Sequence, residues 1–269
     1  MKLSFLALIA FSHIPAAAYA QCRSHSRLDV FRYDMQTCPI IWKRSAGNYA
    51  KKKELMMLGT AAGAGVIAWQ FNGKFTREIR RHENYRDFTS FGDSYGRAVN
   101  LGFAQFGVYL TGVAFKNDSL REFGILTTHS ALLSGAFAVG LKFATNSPRP
   151  DGSGGGRLSS SFPSGHATGT AALAGTVQRR YGTLKAAPFH LASLYTGLTR
   201  IVDNKHRPYE VIAGWGLGYA TGFAIARAWD KIRPGEKNFA MLPWAPTEGG
   251  AGLSFQARFG RSPGEEGQP

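Results

Sequence analysis

Six uncharged stretches separated by helix-breaking residues dominate the middle of this chain: Leu55 to Gly73, Ala98 to Phe115, Gly124 to Leu141, His166 to Val177, Ala186 to Leu198 and Val211 to Ala226. The first three are each long enough for a buried or membrane-spanning helix, and the last three are further helical candidates. The joints carry breaker signals at Asn72-Gly73, Lys116-Asn117-Asp118-Ser119, the glycine-rich Asp151 to Gly156, Tyr181-Gly182 and Pro208. The pattern predicts an all-α protein, a six-helix bundle over residues 51–232. No internal repeat is present. Residues 21–50 are mixed and polar without periodicity and read as an irregular N-terminal arm. Residues 233–269 read as a C-terminal tail with one short strand, where Leu253, Phe255, Ala257 and Phe259 alternate with polar residues.

Residues 1–20 have the form of an export signal: Lys2, an apolar core from Leu3 to Ala10, and the small-residue site Ala18-Tyr19-Ala20. The expected location is therefore outside the cytoplasm, periplasmic in a bacterium. Both cysteines, Cys22 and Cys38, follow that site, and an oxidising compartment permits a disulfide between them. The net charge of +15 favours anionic partners such as phosphate esters or anionic lipid. No nucleic-acid module accompanies it, so nucleic acid is not expected as a partner.

Membrane association bears on the substrate. A mean hydropathy of −0.17 is low for a polytopic protein, and Gln70, Asn100, Gln105 and His129 lie within the apolar runs. If the leader is cleaved, three crossings place the segment from Lys142 to Arg149 in the cytoplasm and Lys51-Lys52-Lys53 outside it, against the positive-inside tendency. A soluble or peripheral bundle avoids both conflicts. A retained leader reverses the parity and gives an integral membrane protein with an extracytoplasmic site.

Three short clusters carry the chemistry. Lys142 is followed, after six residues, by Arg149-Pro150; next comes Pro163-Ser164-Gly165-His166; last come Thr199-Arg200, then His206 and Glu210. Phosphoryl transfer builds charge on three equatorial oxygens and is catalysed mainly by positioning and electrostatics. Arg149 and Arg200 offer planar forks of donors, and Lys142 a compact charge at a helix end. Ser164 reads as an N-cap, so the free N–H groups near Gly165 and His166 face a bound anion. Pro208 reads as a first helical position, which puts Glu210 in the first turn, within reach of one nitrogen of His206. His206 is then the better nucleophile and His166 the proton donor, an effect typically worth about 10²–10⁴-fold. No grouping of histidine with several carboxylates has metal-ligand spacing, so neither a metal nor another cofactor is expected. His129 reads as an interior histidine, His82 and His190 have no partner pattern, and Phe91, Tyr95 and Phe162 are candidate pocket aromatics or packing residues.

The ordered set resembles the signature of the type 2 phosphatidic acid phosphatase superfamily, which includes bacterial class A acid phosphatases, membrane lipid-phosphate phosphatases and vanadium-dependent haloperoxidases. The resemblance covers about Leu55 to Asp230. It implies a helical bundle with the site at one end, a phosphohistidine on His206, His166 as acid, phosphate bound by Lys142, Arg149, Ser164, Gly165 and Arg200, Glu210 orienting His206, and no metal. The expected activity is phosphomonoester hydrolysis, on small or lipid-linked esters. Two alternatives stand beside it: a vanadate-dependent haloperoxidase, and a non-catalytic phosphate- or lipid-binding protein. Thr199 replaces the family's usual serine and keeps the hydroxyl. Glu210 replaces the usual aspartate and adds a methylene. If Glu210 orients His206, Glu210→Ala lowers turnover sharply while Glu210→Asp is tolerated; equal turnover in all three proteins removes that role.

Overall fold

The computed structural model describes residues 26–80, 89–153, 155–232, 239–244 and 252–257. The proposed leader, Cys22, His82 and the last residues from 258 lie outside them, so the disulfide expectation falls there too. Among the described residues the α-helices are α1 (Arg27–Ala46), α2 (Lys52–Arg80), α3 (Thr89–Gly96), α4 (Ala98–Ala114), α5 (Asp118–Thr145), α6 (Gly165–Tyr181), α7 (Thr183–Val202) and α8 (Pro208–Ile232). A short 3₁₀ turn spans Arg157–Ser159, and strands β1 (Phe239–Trp244) and β2 (Gly252–Ala257) pair antiparallel, Phe239 opposite Ala257.

The fold is helical as expected, but eight helices replace six, and the expected lone strand is one half of a hairpin. Residues 27–46 are not an irregular arm. The inward stripe of α1 is Asp34, Thr37, Ile41 and Ser45, continued by Asn48 just beyond the helix. Its spacing is helical, but its chemistry is mostly polar, so no apolar period shows in the sequence. Asp34 accepts from Arg121 Nε at 2.6 Å and Nη2 at 2.7 Å, and from Tyr109 Oη at 3.1 Å. The break expected at Asn72-Gly73 is absent, because α2 continues through it to Arg80. An exposed helical glycine costs only about 1 kcal/mol relative to alanine, which the helix tolerates.

Helix α8 is the axis of the molecule, packed on α6, α2, α5 and α1. Its contact with α6 is the closest. A Cβ on Gly218 would stand 2.1 Å from the Thr168 carbonyl oxygen, and one on Gly222 2.3 Å from that of Ala172. Only glycine allows backbones to approach this far. One core, with Ile41, Tyr109, Ile125, Leu126, Ile225 and Trp229, ties α1, α4 and α5 to the C-terminal half of α8. A small cluster of Ala167, Ile201 and Val211 joins the site-forming ends of α6, α7 and α8.

The chain direction gathers four helix ends at one pole: the C-termini of α5 and α7 and the N-termini of α6 and α8. The opposite pole holds ion pairs, with Arg180 Nε on Glu122 at 2.5 Å and Arg179 on Asp230 at 2.5 Å.

The outer faces of several helices carry large apolar side chains. Trp69 on α2, Phe103 on α4, Phe137 on α5 and Leu191 on α7 are exposed, with many large apolar neighbours on the same helices. Apolar surface of this extent on several helices marks a surface that meets lipid or another protein. Among the described residues, α5 is long and apolar enough to cross a membrane, by length and composition.

Gly218→Ala forces the α6–α8 contact apart and should cost about 1–3 kcal/mol. Gly135→Ala, on an exposed stretch of α5 with nothing within 4 Å of the new Cβ, should gain about 0.4–1 kcal/mol from chain entropy. Denaturant midpoints of the two variants, moving in opposite directions, check the packing account.

Candidate active site

The pole with four helix ends holds Lys142, Arg149, His166, Arg200, His206 and Glu210. Lys142 lies in the last turn of α5, which Asn146 closes in the left-handed conformation with its N–H donating to the Lys142 carbonyl. The Lys142 ammonium is buried and donates to the Ser160 carbonyl. Burial, then Arg149, pushes its pKa down to about 8, with Glu210 opposing. Arg149 sits in the loop beyond α5, its Nε donating to the Ser159 carbonyl at 3.0 Å.

Ser164 is the N-cap of α6, as its sequence context predicts: its side chain accepts from the Ala167 N–H. Its own N–H donates to the Glu210 carbonyl at 3.0 Å, tying the start of α6 to the first turn of α8. Gly165 and His166 therefore occupy the first turn of a helix whose free N–H groups lie at this pole.

His206 is buried just before α8, and its N–H donates to the Arg200 carbonyl at 3.1 Å. Its Nδ1 stands 3.4 Å from Glu210 Oε2 and 3.4 Å from Ser161 Oγ, which turns Nε2 away from the carboxylate. Pro208 is the first residue of α8 and Glu210 lies in its first turn, as predicted. The 3.4 Å separation is longer than a good N–H···O bond. Ser161 Oγ and the Arg207 N–H take Glu210 Oε2 at 2.5 and 2.8 Å, while Arg207 Nη1 donates to Oε1 at 3.0 Å. Glu210 therefore acts on His206 through charge and through a shared serine, more than through one direct bond. Burial lowers the pKa of His206, and Lys142 and Arg149 add to this against Glu210; a neutral imidazole is the form favoured. Burial would raise the Glu210 carboxyl, but His206, Ser161 and the Arg207 N–H outweigh it and hold it low.

Arg200 lies in the last turn of α7 with its guanidinium buried; Nη1 donates to Asp93 Oδ1 at 2.6 Å, and Nε has no partner among the described residues. Arg149, His166 and His206 are close enough for Arg149 to act on Arg200 and His206, and for His206 to act on His166. The two imidazoles and three cations predicted from the sequence are thus brought together.

Ser161 and Asp93 escaped the sequence reading. Ser161 belongs to a run of serines, Ser159 to Ser161, that precedes the second cluster, and adjacency was its only signal. Asp93 sits on α3, far from the other clusters in sequence. The remaining candidates are structural: His129 is buried between Cys38 and the Trp42 indole, and His190 Nε2 meets Gln178 Oε1 at 2.5 Å. Phe91 stacks on Tyr95 at 6.1 Å and Phe162 on Tyr209 at 6.4 Å.

Residues 124–234 match the PAP2 superfamily. The chain is 33% identical over 120 residues to the lipid A 1-phosphatase of Porphyromonas gingivalis, a match covering 42% of this chain and 26% of that protein. The chain thus spans about a quarter of the length of that curated relative. No solved structure matches.

Ser161→Ala removes one of the donors that hold the Glu210 carboxylate and should cost about 1–3 kcal/mol at pH 7. Because the folded Glu210 carboxyl is held below its ordinary value, that contribution is present above the unfolded pKa and fades as pH falls through the folded one. Denaturation of wild type and Ser161→Ala between pH 7 and pH 3 should show the stability difference shrinking with acid.

Proposed function

We propose, from the match of residues 124–234 to the PAP2 superfamily, that this protein is a phosphomonoester hydrolase acting on lipid-linked phosphate at a membrane. The observation that carries the reading is the convergence of Lys142, Arg149, Arg200, His166 and His206 on the N-termini of α6 and α8. Burial, and after it repulsion by Arg149, lowers the pKa of Lys142, and a bound tetrahedral dianion relieves that repulsion. Arg200 keeps one nitrogen for Asp93 and leaves Nε for a phosphate oxygen.

In this scheme Nε2 of His206 attacks phosphorus in line with the ester oxygen. The P–O bond to the alcohol breaks, and the departing oxygen takes a proton from His166. The product is free alcohol and a phosphoryl group on His206. Water then attacks phosphorus while its proton passes to His166; the P–N bond breaks, and inorganic phosphate leaves. Glu210 and Ser161 hold Nδ1 and spread the positive charge that His206 acquires during attack. Arg149, Arg200, Lys142 and the α6 N–H groups take the charge on the equatorial oxygens.

Two features support a lipid-linked substrate and a membrane location. The exposed apolar faces of α2, α4, α5 and α7 supply a surface suited to acyl chains. An apolar groove of about 280 Å³ between α2 and α8, lined by Ala62, Val66, Trp69, Phe162 and Tyr209, begins beside the site. The similarity to a lipid A 1-phosphatase agrees with this class. The proposed side of the membrane is extracytoplasmic, which rests on the leader-like residues 1–20, and the proposed functional unit is residues 51–232.

The purified protein should release inorganic phosphate from a lipid phosphate monoester in detergent micelles, and His206→Ala should lose at least about 10³-fold in turnover. Unchanged turnover in His206→Ala overturns the mechanism. No release from any phosphate monoester by the wild type overturns the hydrolase reading and leaves a binding protein.

A further inference from the structure

Helix α3 is only a short segment, yet it is seated with little freedom. A Cβ on Gly92 would stand 2.5 Å from Thr199 Oγ1, and one on Gly96 2.4 Å from Thr196 Cγ2 and 2.9 Å from the His166 ring. These two glycines, one turn apart, let α3 lie directly on the last turns of α7 and against the first turn of α6. Between them projects Asp93. Its Oδ1 accepts from Arg200 Nη1 at 2.6 Å and stands 3.2 Å from His166 Nε2, within charge range but without a formed hydrogen bond. Its Oδ2 accepts from Arg97 Nη2 at 2.5 Å, one turn along. A single carboxylate thus touches one arm of the proposed phosphate clamp and the proposed proton donor.

We propose that Asp93 is a positioning residue of the phosphate site, fixing the Arg200 fork with Nε turned to the substrate and stabilising His166 as the cation that protonates the leaving alcohol. This rests on the hydrolase reading above. Arg200 without Asp93 would be a buried guanidinium whose other anionic contact among the described residues is Asp203, at 3.4 Å. The charge balance around His166 gives Asp93 a second task. From α7 Arg200 disfavours the imidazolium, and from the loop before α8 His206 does the same, while Arg149 stands beyond Arg200. Arg97, at the junction of α3 and α4, partly neutralises Asp93. Burial first, then Arg200, pushes the His166 pKa down to about 4, and Asp93 opposes them through its carboxylate and its backbone. A donor must carry its proton when the alcohol departs, and a bound phosphate dianion adds to the effect of Asp93 in keeping it there.

The consequence is a dependence on the leaving group. An alkyl alcohol needs the proton of His166; a nitrophenolate does not. Asp93→Asn keeps the shape and removes the charge, and Asp93→Ser serves the same test should the asparagine variant not fold. Turnover of an alkyl phosphate should fall about 10²-fold, within the range of general-acid catalysis, while turnover of p-nitrophenyl phosphate changes far less. His166→Ala should show the same selectivity. The alkaline fall of turnover on the alkyl ester, where His166 loses its proton, should also move to lower pH in Asp93→Asn. Equal losses on both esters with an unmoved pH profile would reduce Asp93 to a structural counter-ion and overturn the proposal. A wild type that is inactive on both esters and also on a lipid phosphate monoester would instead overturn the hydrolase reading on which the proposal depends.

Discussion

The close contact between α6 and α8 is the constraint on which the site depends. Gly218 and Gly222 let the two backbones approach so far that any side chain would meet a carbonyl oxygen. At the end of that seam the Ser164 N–H reaches the Glu210 carbonyl at 3.0 Å. Two helix N-termini are thereby held side by side, one carrying His166 and the other following His206. Their separation is set by main chain, which gives far less than side chains when the molecule fluctuates.

Electrostatics follows from that geometry. Two N-termini present positive ends of helix dipoles and unpaired N–H groups. The cations Lys142 and Arg200 sit in the last turns of α5 and α7, where a helix C-terminus welcomes them. The result is a concentration of positive potential at one pole, with Glu210 and Asp93 as the carboxylates in direct contact with the two histidines. Each carboxylate attends a different imidazole, which separates the proposed neutral nucleophile from the proposed proton donor. The ion pairs at the opposite pole, between Arg180 and Glu122 and between Arg179 and Asp230, are self-neutralising and leave no comparable demand for an anion.

Much of the site was legible in the sequence because its signals are local. A serine after proline and before an alanine-rich stretch is an N-cap wherever it occurs, and Pro208 starts a helix for reasons within its own ring. Lys142 ends α5 because Asn146 follows it in a conformation that asparagine tolerates. What was hidden depends on partners distant in the chain. Helix α1 buries Asp34 and Thr37 beside Ile41, so its inward face has no clear apolar period, and it is held by Arg121 and Tyr109 on Asp34 as well as by Ile41 in the core. Asp93 has meaning only when α3 lies on α7, a contact that two glycines permit but do not announce. Mean hydropathy likewise averaged buried polar residues with exposed apolar ones, and concealed the lipid-compatible outer faces.

The claim at the centre of the account is that phosphorus becomes bonded to one nitrogen of His206. Rapid alkaline quenching during turnover of a phosphate ester, followed by mass spectrometry of the peptides, locates that bond directly. The account predicts a phosphoryl group on His206, stable to base and lost in acid. A phosphoryl group on His166 or on Ser164, or turnover with no phosphorylated residue at all, would contradict it.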